Sequence, residues 1–168
     1  MTETEFKPGD FVVHHLYGIS EVSAITTHAG RLYYRLSPLA DKVTVNVPAT
    51  SRLERALDRE GALELIDSIP SLEPVPVGRT QGEGLRRHEV DASDRRALLT
   101  TIVGIYRHNR KAIEAGRGIS RIGEGESFRK AEELLHLELG HALGCPAIEV
   151  PSFIAQRLSH LTCQSSSC

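Results

Sequence analysis

No stretch of the 168 residues is apolar for long enough to cross a bilayer, which takes about 20 consecutive residues, so no membrane partner is expected. The first ten residues are polar and acidic and lack the basic and apolar stretches of a secretion signal, so the expected compartment is the cytoplasm. Cysteine is scarce. Cys145, Cys163 and Cys168 form an odd set with no close CxxC pair, which argues against a disulfide framework. Catalytic signatures are missing too: there is no GxSxG elbow, no GxxxxGK[ST] phosphate loop and no GxGxxG after a strand. The glycines at 116, 118, 123 and 125 read more simply as a loop.

Two histidine features come closest to a metal site and fall short. His136 and His141 flank HLELGH, but the zinc-protease helix needs histidines four apart with glutamate directly after the first. Here they are five apart and Glu138 stands two residues on. His14 and His15 are neighbours in a strand-like run, where adjacent side chains point to opposite faces. The chain therefore reads as non-enzymatic, with no catalytic residue, no metal and no cofactor expected. A hydrolase or metalloenzyme built on His136 and His141 is a distant alternative.

What is present is an asymmetry of charge. The whole chain carries a net −2, yet residues 1–78 hold 7 basic against 11 acidic side chains and residues 79–168 hold 13 against 11. The window 79–121 is sharper, with 10 basic against 5 acidic. A local basic patch in a mildly acidic protein suits a polyanion such as DNA. Arg107, Arg110 and Lys111 recur at three and four residues and should share a helix face opposite Leu99, Ile102 and Ile105. No helix-turn-helix or zinc-finger spacing accompanies them, so contact with DNA would be largely independent of sequence. A merely solvated helix face is the plain alternative.

The pattern of elements changes midway. Phe11-Val12-Val13 follow a turn at Pro8 to Asp10, and Ile19, Val22 and Ile25 lie in a β-branched run. His28-Ala29-Gly30 supplies a turn, and Arg31 to Leu36 answers as a partner strand. Val43, Val45 and Val47 alternate with polar neighbours up to Pro48, the period of a half-buried strand. A helix is predicted after Asp58 and ends at Pro70. Helices follow again from Asp91 or Ser93, from about Gly125, and over about Ser152 to Leu161. The expected fold is α+β, with a small antiparallel Tudor-like β-barrel followed by a compact helical bundle. The expected division is a barrel with a terminal helix over residues 1–70, a linker over 71–80, a basic helical domain over 81–162 and a frayed tail over 163–168.

Read in order, Phe6-Lys7-Pro8-Gly9-Asp10-Phe11-Val12-Val13, Tyr17-Gly18, Val22 with Ile25, Tyr33-Tyr34, Val43 to Pro48, Leu53 to Leu57 and Arg86-Arg87 resemble the CarD/CdnL family of bacterial transcription regulators. The barrel is also similar to the polymerase-binding module of transcription-repair coupling factors. The resemblance implies strand-to-strand contact with the RNA polymerase β subunit and a helical domain on promoter DNA at the edge of the melting bubble. It implies polymerase-binding roles for His28, Val43, Val45, Asn46, Val47 and Pro48. It implies DNA-binding roles for Leu85, Arg86, Arg87, Arg107, Arg110 and Lys111.

The function so implied is modulation of open-complex stability by a monomer. The alternative is an adaptor whose helical domain binds a partner protein rather than DNA. This chain departs from the family in three places. It has no tryptophan, and Leu85 stands where the family places a wedge tryptophan. His28 and Asn46 stand where the family often has polymerase-facing arginines.

Overall fold

The computed structural model of the chain describes residues 4–73, 92–116 and 126–165. Among these, five strands come first: β1 Phe11–His14, β2 Gly18–His28, β3 Arg31–Pro38, β4 Val45–Pro48 and β5 Glu54–Arg55. Four α-helices follow: α1 Arg59–Asp67, α2 Arg95–Glu114, α3 Glu126–Leu143 and α4 Val150–Ser165, with short 3-10 turns at Ile69–Ser71 and Ala147–Glu149. The fold is α+β, an antiparallel sheet in the order β4-β3-β2-β1-β5 and then helices.

The sheet curls around its own core. Phe6, Val12, Val22, Tyr34, Leu36, Val47 and Leu53 meet inside it, which makes it barrel-like. A register shift between Val22 and Ala24 bends the long strand β2, as an extra residue in one strand does. The β2–β3 connection is a two-residue turn in which Ala29 and Gly30 both have positive φ, at 48° and 75°. That backbone matches the right-handed twist of a hairpin, and glycine adopts it without strain. Val43, expected in the fourth strand, lies just ahead of β4 and is exposed.

Two of the helices begin where a local acceptor meets their open amide groups. Asp58 accepts from the Gly61 N–H at 2.7 Å to start α1. Asp94, not Asp91 or Ser93, does the same for α2, accepting from the Ala97 N–H at 3.1 Å. The helix α4 begins at Val150 and runs past Leu161 to Ser165. Pro151 causes no break, because proline is tolerated in the first turn of a helix.

The helices pack by their apolar stripes. Leu99, Ile102 and Ile105 of α2 meet Leu135, Leu139 and Leu143 of α3 and Val150 of α4. Ala62 and Ile66 of α1 belong to this cluster, together with Ile69 and Leu72. The helix expected as the end piece of the barrel unit therefore packs with the bundle. The expected linker begins inside the same core, since Ser71 closes a 3-10 turn and Leu72 is buried; residues 74–80 lie outside the described residues.

The barrel is not a separate bead. Val13 and Ile19 are buried against Leu134 of α3 and against Ala92. Gly18 (φ 68°) lies so close to this contact that a Cβ there would stand 2.6 Å from Leu134 Cδ2.

Candidate functional site

The strand β4 is an edge, and its pairing shows what it offers. The register sets Tyr33 against Pro48, Tyr34 against Val47, Arg35 against Asn46 and Leu36 against Val45. The Ala49 N–H donates to the Leu32 carbonyl at 2.9 Å, so the residues at 49, 47 and 45 direct their amides toward β3. The residues between them, Asn46 and Pro48, face away. Proline has no N–H to offer, and its carbonyl accepts from the Ser51 N–H at 2.8 Å. Within β4, one residue thus presents both an N–H and a C=O to the open side: Asn46. Unpaired edge groups of this kind template the addition of another strand.

The side chains divide the same way. Val47 is buried and Val45 half-buried against the barrel core, whereas Asn46 and Pro48 are exposed. Directly opposed residues share a face, so the outer face carries Asn46 with Arg35, Pro48 with Tyr33, Tyr33 with Thr26, and Arg31 with His28. His28 sits at the hairpin end of that face and is exposed. At the Pro48 end the sheet is flanked by a cleft of 560 Å³ lined by Glu5, Arg31, Tyr33, Pro48, Ala49 and Thr50 among others.

Residues 6–57, the whole of this sheet, match the family model of the CarD-like/TRCF RID domain. The match covers the sheet and ends before α1. Domains of this kind are RNA-polymerase-β-interacting modules, which ties the chain to transcription. No curated protein matches the sequence.

The sheet is fastened to the helices by a buried charge pair. Arg95 Nε donates to Glu138 Oε1 at 2.7 Å, and Arg95 Nη2 donates to the Arg55 carbonyl at 2.7 Å. Glu138 is 2% exposed and also accepts from the Leu57 N–H at 3.1 Å. Burial pushes the Glu138 carboxyl above its ordinary value, against the opposing pull of Arg95 and of the Leu57 amide. The Phe11 ring lies 4.1 Å from that of His141, and Arg59 Nη1 donates to the Leu143 carbonyl at 2.9 Å.

The predicted DNA-binding residues separate. Arg107 is half-buried and donates to the Leu72 carbonyl at 2.9 Å and the Ile69 carbonyl at 3.0 Å, so it holds the chain after α1 against α2. Arg110 and Lys111 are exposed, and Arg110 pairs with Glu114 at 3.2 Å. Arg96 is exposed on the first turn of α2. Leu85, Arg86 and Arg87 lie outside the described residues. Tyr106 donates to Glu132, and its hydroxyl is pushed up to about 12 by burial and by that carboxylate.

The two histidines of HLELGH have different surroundings. His136 is half-buried and held below its ordinary value by burial, while His141 is exposed against Phe11. Among the described residues no three His, Cys, Asp or Glu side chains gather closely enough to hold a metal.

Sequence reasoning named the β4 edge but missed Arg31, Tyr33 and Arg35 on the adjoining strand. Their alternation in RLYYRL, with Arg31, Tyr33 and Arg35 at every second position, was the available signal.

Proposed function

We propose that the chain is a transcription regulator that binds the RNA polymerase β subunit through β4 and lies on promoter DNA through its helical part, modulating open-complex stability. The observation that carries this reading is the RID domain whose edge strand is open at Asn46. Extended segments add to such an edge through main-chain hydrogen bonds. The DNA arm of the reading is supported by the exposed Arg96, Arg110 and Lys111 of α2. The reading is of a binding protein and not of an enzyme.

The test is calorimetry of the full chain with a purified N-terminal fragment of the polymerase β subunit. The full chain is needed because Val13 and Ile19 would otherwise be uncovered. Asn46→Pro removes the outward amide and no N–H of the ladder to β3, and should weaken binding. Unchanged binding in that variant would sink the strand-addition reading.

For DNA, a gel shift on fork-junction DNA with polymerase should weaken as salt rises. Arg110→Ala and Lys111→Ala should each lower the salt slope by about one contact. A specific observation favours the adaptor alternative. Arg107 is spent inside the fold and Arg110 already has a carboxylate partner. A shift indifferent to both substitutions and to salt would make the adaptor the better reading.

A further inference from the structure

The edge of β4 offers little backbone for a partner to hold. Asn46 supplies one donor and one acceptor, Pro48 supplies no donor, and its carbonyl is taken by Ser51. Two neutral hydrogen bonds exchanged against water contribute modestly. Side chains must therefore supply the rest of the affinity and the choice of partner, and the outer face shows which ones. Between Ala24 and His28 of β2, along Arg31 to Arg35 of β3, and over Val45 to Pro48 of β4, the charged side chains are Arg31 and Arg35, with no acid among them. Both arginines are exposed, and neither has an ion-pair partner among the described residues. Glu5 lines the same cleft as Arg31 without pairing with it.

The geometry lets these cations serve an incoming strand. Arg35 lies directly across from Asn46, and Arg31 lies at the end where Pro48 begins the turn. A strand added to β4 would stand two interstrand spacings from β3, roughly 10 Å. An arginine and a glutamate extended toward each other over the short Asn46 side chain can cover that gap. Four residues along a strand separate Arg31 from Arg35 by roughly 13 Å.

We propose that Arg31 and Arg35 select the partner strand, and that this strand is an extended acidic segment. Its carboxylates are spaced by about four residues, so that one meets each guanidinium while its backbone pairs with Asn46. The inference rests on the polymerase reading above and names the chemistry of the segment that the β subunit must present. Planar guanidinium groups suit this role because they hold carboxylates with two parallel hydrogen bonds. Asn46 and Pro48 contribute by being short and flat, leaving the path over β4 open.

The test is calorimetric titration of the full chain with the cognate polymerase β fragment at low and at moderate salt. Three proteins are compared: the wild type, Arg31→Glu/Arg35→Glu, and Arg31→Lys/Arg35→Lys. All three should give the same circular dichroism and melting temperature, since both positions are exposed. The double reversal should weaken binding by at least about tenfold and remove most of its salt dependence, because a rim charge acts through long-range complementarity. The lysine pair should keep most of the affinity.

If the double reversal binds like the wild type while Asn46→Pro weakens binding, strand addition stands and the acidic-segment inference is overturned. If the wild type itself fails to bind, the polymerase reading falls first and takes the inference with it. Equal weakening by the lysine and glutamate pairs would show that shape and not charge is read, which also overturns it.

Discussion

Arg95 closes over Glu138 with one arm and reaches the Arg55 carbonyl with the other, so a single side chain of α2 joins α3 to the last strand of the sheet. A buried ion pair of this kind gains little over a well-packed apolar pair, because both ions lose water on burial. Removing one partner is another matter. Glu138→Ala leaves Arg95 facing no anion and the Leu57 amide without its acceptor. The expected cost is about 3 kcal/mol, or a fall in melting temperature of about 6–12 °C for a chain of this size. Glu138→Gln keeps an acceptor for Leu57 and should lose less. A thermal melt of both variants checks the order, and equal melting temperatures would mean that the pair does not join the two parts.

Acid should weaken the fold through His136. Burial holds this imidazole below its ordinary value of 6.5. As pH falls through that value the unfolded chain takes up the proton first and the folded chain resists it. The unfolded state then binds more protons, so stability declines with falling pH and levels off once the folded value is passed. His136→Gln removes this contribution. The difference between its urea midpoints at about pH 7.5 and about pH 5.5 should be smaller than in the wild type. An identical difference would place the acid sensitivity elsewhere.

The β2–β3 turn holds Ala29 at φ 48°, a conformation that costs an L-residue with a Cβ more than it costs glycine or asparagine. Ala29→Gly relieves the strain but adds freedom to the unfolded chain, whereas Ala29→Asn relieves it without that penalty. The asparagine variant should be more stable by about 0.5–1 kcal/mol in denaturant unfolding. A loss of stability would show that the turn is not strained.

Gly18 reports on the seam between sheet and helices. A methyl group there would meet Leu134 Cδ2 at 2.6 Å and would sit on a backbone with positive φ. Gly18→Ala should cost about 1–3 kcal/mol through overpacking alone. Gly9→Ala, at φ 96° with open space around it, isolates the backbone contribution. The difference between the two melts measures the crowding at Leu134.

Arg107 and Arg110 make an informative pair because sequence spacing gives them the same role. Arg107→Ala uncovers the Ile69 and Leu72 carbonyls and should cost about 1–3 kcal/mol. Arg110→Ala removes one exposed i,i+4 pair and should stay within about 0.5 kcal/mol of the wild type. Chemical denaturation of both distinguishes the supporting arginine from the exposed one.

These contrasts show what the sequence could and could not convey. Strand alternation at Val45 and Val47, the turn at Ala29-Gly30 and the apolar stripes of α2 and α3 are local patterns, and the elements form where those patterns stand. The partners of α1 are not local. Ala62 and Ile66 have the same spacing whether they face a barrel or a bundle, and the contact with Leu99, Leu135 and Leu139 decides between them. Asp94 displaced the expected caps because several acidic or hydroxyl residues in a row can each serve, and only the backbone shows which one does. Nothing in the linear spacing of Arg95 and Glu138, 43 residues apart, pairs them until the two elements close on one another. For the site, the edge strand was legible from its period and its family resemblance. The outward direction of the Asn46 amide required the register against β3, which no linear pattern contains.

The closeness of Gly18 to Leu134 has a wider consequence. Opening the two halves would have to part Val13 and Ile19 from Leu134, and at Gly18 even one added carbon atom forces the Leu134 side chain to move. The seam thus acts as a clasp, with Leu134 packed on Val13 and Ile19 and Arg95 bonded to the Arg55 carbonyl, so that sheet and helices share one buried contact.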